Sequence, residues 1–411
     1  MTGTAKIIVH GAGGTAQLVA LALHQCGFAI DLIDLIDLID LIDGSDLPEA
    51  APALAKPNPA DALHDDDWQR VLALAPASKI CLEKLGVWEN LSKLATEMTG
   101  MEVRRGPVGQ GFTDTLDLTP PEPKTLAHIV SLANLHRAIT RTIAAAEIAP
   151  SNANINANAN KKANHAAALH IETKRSQSAN AADYLTHDYG SDALVCAVRG
   201  TRAHNGQARQ IFLPDGPLAL LPLAGEKDMA LVWSLPRARA QALVEVAAPV
   251  FLHELNRAAA PYGKIEAVGT RASQALHMHL AQSFTAPNRV FLGDAAHCLH
   301  PMAGQGFNIT LRDIALLVEC LMQGRQLGLP PNDATMLARY GQARRADATL
   351  AIGLTHGLNG LFGGAVPGLG LLAGAGLEAT HTLLQKQPKW RRALLAQADS
   401  GIGDTPPLMR A

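Results

Sequence analysis

The residue types best suited to ligand chemistry are concentrated between Val290 and Arg312, in the stretch VFLGDAAHCLHPMAGQGFNITLR. A short apolar run predicts a buried strand that leads into Gly293 and Asp294, and a Gly-Gln-Gly triplet at 304–306 precedes an apolar-periodic, helix-like segment. Glycines let backbone N–H groups approach a ligand, and a helix N-terminus favours negative charge. A tight turn with an aspartate cap is the simpler alternative. The order GD, AAH, HP, GQG and N within sixteen residues instead favours a loop for an anionic or hydroxylated ligand.

A second glycine-bearing turn stands near the start of the chain. Residues 6–10, KIIVH, predict a buried parallel strand, and the sequence GAGGTA that begins at Gly11 opens a helix through residues 18–25. This is the G-x-G-x-x-A pattern in the strand-to-helix setting of dinucleotide-binding turns. Gly11 would make the turn, Gly13 would let the backbone meet a pyrophosphate, and the small residues Gly14 and Ala16 would favour close helix packing.

An acidic side chain is expected after the second strand, which begins near Phe28. Asp34 falls 23 residues after Gly11, at about the distance where such a residue accepts hydrogen bonds from adenosine ribose hydroxyls. The triplet LID is repeated four times from residue 32 to 43, so Asp43 is an alternative. A period of three matches neither a strand nor a helix, which favours three triplets inserted after the strand end. We predict Asp34 as the ligand-binding acid and no ligand role for Asp37 or Asp40.

The first stretch resembles the second flavin motif of class A flavoprotein monooxygenases, specifically that of the ubiquinone-biosynthesis (Ubi) hydroxylase family. The residues that carry the resemblance are Gly293, Asp294, His297, His300, Pro301, Gly304, Gln305, Gly306 and Asn308. The resemblance implies that Asp294 holds the ribityl chain of FAD and that Pro301 and the glycine loop lie against the isoalloxazine ring. Arg70, in an R-x-x-A-L setting, resembles the flavin-side arginine of the family; a surface arginine is the alternative.

Together these motifs and the resemblance define one set of candidate cofactor-binding residues. They are Gly11, Gly13, Gly14, Ala16, Asp34, Arg70, Gly293, Asp294, Pro301, Gly304, Gln305, Gly306 and Asn308. No catalytic base is assigned. His277 and His279 would share one face of a strand; a base acting on a phenol is one interpretation, and an ordinary hydrogen-bonded pair is favoured. No metal site is assigned either, because His297 and His300 lack a third ligand.

Two segments depart from the family pattern. The family carries a middle motif, Gly-Ala-Asp-Gly followed by Ser and Arg, near residues 165–180, where this chain has HAAALHIETKRSQSANAADYL. Residues 151–164 are a low-complexity Asn/Ala segment that predicts a loop. Ser131 stands where the family often has an acidic residue. These departures leave open a catalytically impaired flavin- or lipid-binding accessory protein as an alternative.

The resemblance implies a mixed α/β (α+β) fold: a Rossmann-like FAD-binding domain, an inserted antiparallel β-sheet substrate domain and a C-terminal helical tail. We predict domain segments at 1–180 and 285–345 for the FAD-binding domain, 181–284 for the sheet and 346–411 for the tail. Turn-divided apolar runs at 188–200 and 210–236 predict the sheet, with one face over the flavin and the other in solvent. Helical spacing predicts helices at 76–85, 124–143, 309–323 and 340–354.

Composition limits the function classes. The 411 residues are 48% hydrophobic, which is enough for a large core, and 35 basic against 37 acidic residues give no support for nucleic-acid binding. Five cysteines without a CxxC pair indicate neither a disulfide framework nor a zinc site, and a strand directly after the N-terminus leaves no room for a signal peptide. We therefore predict a cytoplasmic protein.

The tail suggests contact with lipid. Residues 357–377 carry no charge, but eight glycines and Pro367 argue against a spanning helix. A hydrophobic surface segment, backed by the basic cluster Lys386, Lys389, Arg391 and Arg392, predicts peripheral contact with the inner face of the membrane. Interdomain or dimer packing is the alternative.

The resemblance implies an FAD-dependent monooxygenase that uses NAD(P)H and O₂ to hydroxylate the ring of a prenylated phenol in ubiquinone biosynthesis, within a biosynthetic complex. A flavin-dependent reductase of prenyl chains shares the glycine motifs and is a further alternative. The ring position and the choice of nicotinamide are not indicated by any residue.

Overall fold

The structure is a computed structural model that describes residues 6–11, 13–33, 70–105, 114–117, 119–120, 124–148, 168–176, 180–299, 305–362 and 405–410. Its strands are β1 Ile7–His10, β2 Ile30–Ile33, β3 Val71–Leu74, β4 Thr96–Met98, β5 Gly100–Arg105, β6 Asp114–Asp117, β7 Ala127–Ser131, β8 Leu169–Glu172, β9 Tyr184–Gly200, β10 Gln207–Leu213, β11 Gly216–Pro222, β12 Asp228–Pro236, β13 Ile265–Val268, β14 Ala272–Ala281, β15 Thr285–Ala286, β16 Arg289–Phe291 and β17 His297–Cys298. Its α-helices are α1 Gly14–Gln25, α2 Pro76–Lys84, α3 Trp88–Leu91, α4 Leu132–Ala145, α5 Arg237–Glu245, α6 Ala248–Ala258, α7 Gln305–Gln326 and α8 Ala334–Phe362. Short 3₁₀ helices lie at Ser92–Leu94, Ala181–Asp183, Ala260–Tyr262, Gly293–Ala295 and Pro407–Met409.

The first sheet has the strand order β15-β16-β8-β1-β2, and its three pairings from β16 to β2 are parallel. Its interior strand β1 is apolar and fully buried from Ile7 to Val9, as expected for a parallel strand that is covered on both faces. Helices α1 and α7 pack against this sheet in the largest hydrophobic core. The sheet therefore brings segments from both halves of the chain into one layer.

The second sheet has the order β17-β14-β9-β12-β11-β10-β5-β6, with β13 paired to β9. Turn signals between apolar runs predict the antiparallel strands β9 to β12, and the structure has them. The sheet face predicted to lie in solvent is instead covered: α5 and α6 pack on it around the buried residues Trp233, Phe251 and Leu255. That part of the prediction was wrong because the helices' own apolar faces were not recognised between the strands.

A third, small sheet has the order β3-β7-β4 and packs on the opposite face of the second sheet through Met98 and Ile129. The helix predicted at 124–143 is therefore only half correct. Residues 127–131 form β7, whose five residues are all buried between β3 and β4, and the helix α4 begins after Ser131. A short buried run of this kind is compatible with both structures, and the tertiary pairing favoured the strand. The predicted domain boundaries stay a prediction.

Candidate functional site

The carboxyl ends of the parallel strands meet at one edge of the first sheet. Gly11 follows β1 and its N–H donates to the carbonyl of Ile33, the last residue of β2, at 3.1 Å. Leu292 follows β16 and donates to the carbonyl of Glu172, the last residue of β8, at 3.1 Å. In open α/β sheets this edge is where ligands bind. The two glycine-bearing turns, 282 residues apart from Gly11 to Gly293, therefore stand on the same edge.

The two turns also touch. Gly293 has φ +57°, and a Cβ atom there would lie 3.1 Å from Cγ2 of Thr15 and 3.3 Å from Cγ2 of Thr310. Thr15 belongs to the first glycine motif and Thr310 to α7, so Gly293 is the point where both helix starts approach the second turn. The close approach and the positive φ together require glycine at this position.

The small residues of the first glycine motif have different structural roles. Gly11 has φ +127°, and a Cβ atom there would lie 2.6 Å from Oγ1 of Thr173. Gly14 packs against α4, where its Cβ position is 3.2 Å from Ile139, and Ala16 is fully buried. At Gly13, by contrast, no described atom lies within 4 Å of a Cβ position. Gly11 thus makes the turn, Gly14 and Ala16 pack, and Gly13 faces open space.

The N-terminus of α1 at that open space has the properties of an anion site. Its N-cap residue, Gly13, has no side-chain cap, and the first turn holds no acidic residue. A helix leaves its first N–H groups without intrahelical partners, and the helix dipole favours negative charge there. The uncapped start of this twelve-residue helix therefore fits the pyrophosphate of a dinucleotide.

The family's middle motif has a different sequence in this chain at the end of β8. Thr173 follows the strand, and its hydroxyl donates to the carbonyl of His10 at 2.9 Å. Two residues on, the guanidinium of Arg175 lies 4.3 Å from the ring of Tyr184, whose hydroxyl donates to the carbonyl of Ala295 at 2.9 Å. Among the described residues that follow β8, Thr173 thus contacts the first glycine turn, and Arg175 lies on a tyrosine that contacts the second.

Asp294 presents its carboxylate to the surface of the site, with 54% of the side chain exposed. A hydrogen bond holds the backbone of Asp294 in place, because Nε2 of His279 donates to the Asp294 carbonyl at 2.8 Å. Burial lowers the pKa of His279, although this hydrogen bond and the Asp294 carboxylate act in the opposite direction. The carboxylate is thus held at the sheet edge and is open to a ligand hydroxyl.

Asp313, on α7, holds the second turn in place. Its carboxylate is fully buried and accepts hydrogen bonds from the Gly293 N–H at 3.1 Å, from His297 at 2.7 Å and from Arg344 at 2.6 Å. Arg344 also pairs with Asp347 on α8 at 2.8 Å. The position of the Gly293 turn therefore depends on a buried ion network between α7 and α8, which the sequence analysis did not anticipate.

This network predicts a specific acid dependence. Burial alone would raise the pKa of Asp313, but the charges of His297 and Arg344 and their hydrogen bonds hold that pKa below its usual value. A lowered folded-state pKa means that the stabilisation is fully present above the unfolded-state pKa of about 3.9 and is lost as pH falls through the folded-state value. In urea unfolding at a series of pH values, the stability difference between the wild type and Asp313→Asn should be constant near neutrality and shrink below about pH 4. A difference that grows in acid would contradict this assignment.

Asn308 ties the second motif to the R-x-x-A-L segment. Its side-chain amide donates to the carbonyl of Ala73 at 2.9 Å, and its side-chain oxygen accepts from the Ala75 N–H at 3.0 Å. Arg70, at the start of this segment, is exposed, and its carbonyl accepts from the Leu132 N–H at 2.8 Å. Because Asn308 is only 1% exposed, its effect on the site is indirect: it holds β3 in position through the bond to Ala73.

Asn308→Ala should lower the free energy of unfolding by about 1–3 kcal/mol, because it leaves a buried backbone carbonyl and N–H group without their partner. Urea unfolding of the purified protein measures the change. Asn90→Ala is the matched control, since Asn90 makes only an exposed, 3.3 Å hydrogen bond to Thr142. Equal losses in both variants would contradict the role given to Asn308.

Three candidate residues lie outside the described residues: Asp34, Pro301 and Gly304. Residues 35–43 of the LID repeat, His300 and the Asn/Ala segment lie outside them as well. Gln305 is the first residue of α7, and no described atom lies within 4 Å of a Cβ position at Gly306. The described residues thus leave the start of α7 uncovered at Gly306, as they leave the start of α1 uncovered at Gly13. Sequence patterns did not indicate Thr173 or Asp313; the adjacent charges of Arg312 and Asp313, between apolar residues of α7, were the available signal for Asp313.

Comparisons with known proteins agree with this geometry. Residues 201–352 match the family model described as FAD binding domain. The ubiquinone hydroxylase UbiL of Rhodospirillum rubrum is 36% identical over 199 residues, which cover 48% of this chain and 46% of that protein. A mitochondrial ubiquinone biosynthesis monooxygenase of Drosophila melanogaster is 30% identical over 228 residues, 47% of each chain. The 3-demethoxyubiquinol 3-hydroxylase of Escherichia coli is 25% identical over 368 residues, 83% of this chain and 86% of that one.

Solved structures show the same fold. Pseudomonas aeruginosa PqsL, in complex with 2-aminobenzoylacetate, superposes with a TM-score of 0.63 at 16% identity, covering 92% of this chain and all of that one. The p-nitrophenol 4-monooxygenase PnpA of Pseudomonas putida superposes with a TM-score of 0.62 at 13% identity, covering 96% and 98%.

The chain has the fold of PqsL and PnpA and carries two glycine turns at one edge of its first sheet. By sequence, the chain is similar to a ubiquinone hydroxylase, a ubiquinone biosynthesis monooxygenase and a 3-demethoxyubiquinol 3-hydroxylase. The alignments with UbiL and the Drosophila protein span about half the length of those relatives. Among the described residues, no helix combines the length and the apolar character needed to cross a bilayer.

Proposed function

We propose that the protein is an FAD-dependent monooxygenase that hydroxylates the aromatic ring of a prenylated phenol in ubiquinone biosynthesis, with NAD(P)H and O₂ as co-substrates. The observation that carries the proposal is the contact between the two glycine turns, where a Cβ atom at Gly293 would lie 3.1 Å from Thr15. A single extended cofactor can then reach from the start of α1 to the carboxylate of Asp294. The names of the ubiquinone hydroxylase relatives support the substrate class.

The chain's residues fit FAD in four roles. The uncapped start of α1 at Gly13 would bind the pyrophosphate, and the exposed carboxylate of Asp294 would accept hydrogen bonds from the ribityl hydroxyls. Gly306, at the open start of α7, would allow close backbone approach to the ring, and Arg70 would lie at its side. Bound FAD would supply the electron transfer and oxygen activation, while the protein excludes water and positions the ring carbon.

The overall reaction would consume one phenol, one O₂, one NAD(P)H and one proton, and would yield the hydroxylated phenol, water and NAD(P)⁺. The test is to incubate the FAD-loaded protein with NADH or NADPH and a water-soluble prenylphenol under air. We expect a product heavier by one oxygen atom, with ¹⁸O incorporated from ¹⁸O₂. Full flavin occupancy with no hydroxylated product would count against the proposal.

The second candidate is an accessory protein that binds flavin or lipid without turnover. It is favoured by one observation: Thr173 and Arg175 stand at the end of β8, where the family has its middle aspartate. Anaerobic addition of NADPH separates the candidates, because bleaching of the flavin shows that reduction still occurs. The reductase alternative is removed by an oxygen electrode, since it predicts no substrate-dependent O₂ uptake.

We also propose that the protein works at the cytoplasmic face of the membrane, in contact with other proteins of the pathway. The proposal rests on the sequence 357–377, which has no charge, and on the basic residues at 386–392. Co-sedimentation with anionic phospholipid vesicles should be strong for the full chain and weak after neutralisation of Lys386, Lys389, Arg391 and Arg392. Equal co-sedimentation of both forms would contradict the electrostatic part of the proposal.

A further inference from the structure

Two histidines and one cysteine converge where β14 pairs with β17. The group consists of His277, His279 and Cys298, and it contains no acidic residue. One potential ligand atom from each residue, a ring nitrogen or the sulfur, lies within 4.8 Å of the other two. The strand geometry produces this arrangement. His277 and His279 are two residues apart on β14 and so share a face, and Cys298 is paired directly opposite His279.

One ring nitrogen in this group is buried and has no hydrogen-bond partner in the part of the chain that the structure describes. Nε2 of His279 faces the carbonyl of Asp294 at 2.8 Å, and because a carbonyl can only accept, this nitrogen carries the proton. Nδ1 of the same ring then carries a lone pair, and no hydrogen-bond donor among the described residues reaches it, although the residue is only 3% exposed. Buried polar atoms without partners are rare in folded proteins.

The same pattern is typical of metal-binding histidines. Such a histidine commonly donates its outer N–H group to a carbonyl or carboxylate, which fixes the tautomer and directs the other nitrogen at the metal. The carbonyl of Asp294 has this outer position here. Packing alone would not require the potential metal ligands of His277 and Cys298 to lie within 4.8 Å of a ring nitrogen of His279.

We propose that His277, His279 and Cys298 form a binding site for a divalent transition metal of the zinc class. Two imidazoles and a thiolate are ligands that Zn²⁺ prefers, and three protein ligands leave the fourth tetrahedral position to water or a small anion. Asp188 lies opposite His277 on β9, but its carboxylate is held by Arg237 at 2.9 Å, so it does not complete the site.

Metal binding requires only a small closure of the group. Zinc–ligand bonds of about 2.0–2.3 Å imply separations of roughly 3.3–3.8 Å between the ligand atoms. These separations are about 1 Å shorter than the 4.8 Å within which the three atoms lie in the structure. His277 is exposed and can rotate toward the other two ligands. Burial raises the pKa of Cys298 to about 11, so the metal must displace the thiol proton, as in other thiolate sites.

The test is zinc binding to the untagged, full-length protein, measured by equilibrium dialysis with metal analysis and by competition with a chromophoric chelator. We expect one zinc ion per chain. His277→Ala, His279→Gln and Cys298→Ser should each weaken binding by about 10-fold or more, the least that loss of supporting residues costs at such sites. Zinc X-ray absorption should show one sulfur and two nitrogen neighbours.

His253→Ala and Cys26→Ser are the matched controls, because they remove the same residue types from α6 and from the end of α1. Both should bind zinc like the wild type. His277 is exposed, so its variant should fold normally even if His279→Gln does not. Zinc binding that survives all three ligand substitutions, an absorption spectrum without sulfur, or no bound zinc in the wild type would overturn the proposal. The measurement does not depend on flavin turnover.

Discussion

Replacing Asp313 with alanine should lower the free energy of unfolding by about 3–5 kcal/mol, the usual cost of removing one partner from a buried ion pair. The carboxylate is fully buried and accepts from the Gly293 N–H, from His297 and from Arg344. Its removal leaves the Arg344 charge with only Asp347 as an acidic partner among the contacts described here, and it frees the second glycine turn. Urea unfolding followed by far-UV circular dichroism measures the loss.

Glu319→Ala is the control for this substitution. Glu319 is on the same helix and pairs with Arg339 at 3.1 Å, in a partly exposed pair where 46% of the Arg339 side chain and 17% of the Glu319 side chain are exposed. Surface pairs of this kind contribute about 0–1 kcal/mol. If Asp313→Ala costs no more than Glu319→Ala, the buried network does not support the turn.

Asp294→Ala should weaken FAD binding by about 10- to 150-fold while leaving the stability of the flavin-free protein nearly unchanged. The estimate takes about 1.5–3 kcal/mol for hydrogen bonds to a charged group. The apoprotein should tolerate the change because 54% of the Asp294 side chain is exposed, and His279 contacts its backbone carbonyl, which alanine retains. Titration of apoprotein with FAD, followed by flavin fluorescence, measures the dissociation constant.

Asp215→Ala tests whether any loss of an acidic residue has this effect. Asp215 lies in the turn between β10 and β11 of the second sheet, and its carboxylate pairs with Arg239 of α5. Its variant should bind FAD with the wild-type dissociation constant. Unchanged FAD affinity in Asp294→Ala would remove Asp294 from the cofactor site, whatever its position in the sheet.

The fold class was accessible from sequence because its main signals are local. The strand before Gly11, the strand before Gly293 and the helices that follow them combine buried apolar runs with glycines in a short window. The predicted mixed α/β fold with an antiparallel sheet is confirmed. The strand β7 was missed because its buried run fits helix and strand periodicity equally well, and only its pairing with β3 and β4 decides between them.

The supporting parts of the site were not accessible in this way. Asp313 meets Gly293 and Arg344 across 20 and 31 residues of sequence, and no spacing rule connects a buried carboxylate to such partners. The same holds for Cys298, which comes next to His279 only through the β14–β17 pairing. Two histidines on one strand face were visible from sequence, but the third member of the group and the unpartnered nitrogen required the folded structure.

The most direct test is a crystal structure of the protein grown with saturating FAD. If the first and second glycine turns form one cradle, a single FAD will have its pyrophosphate against the start of α1 at Gly13 and its ribityl hydroxyls within hydrogen-bonding distance of Asp294. An FAD that contacts only one of the two turns, or crystals that contain no flavin despite saturation, would contradict the account.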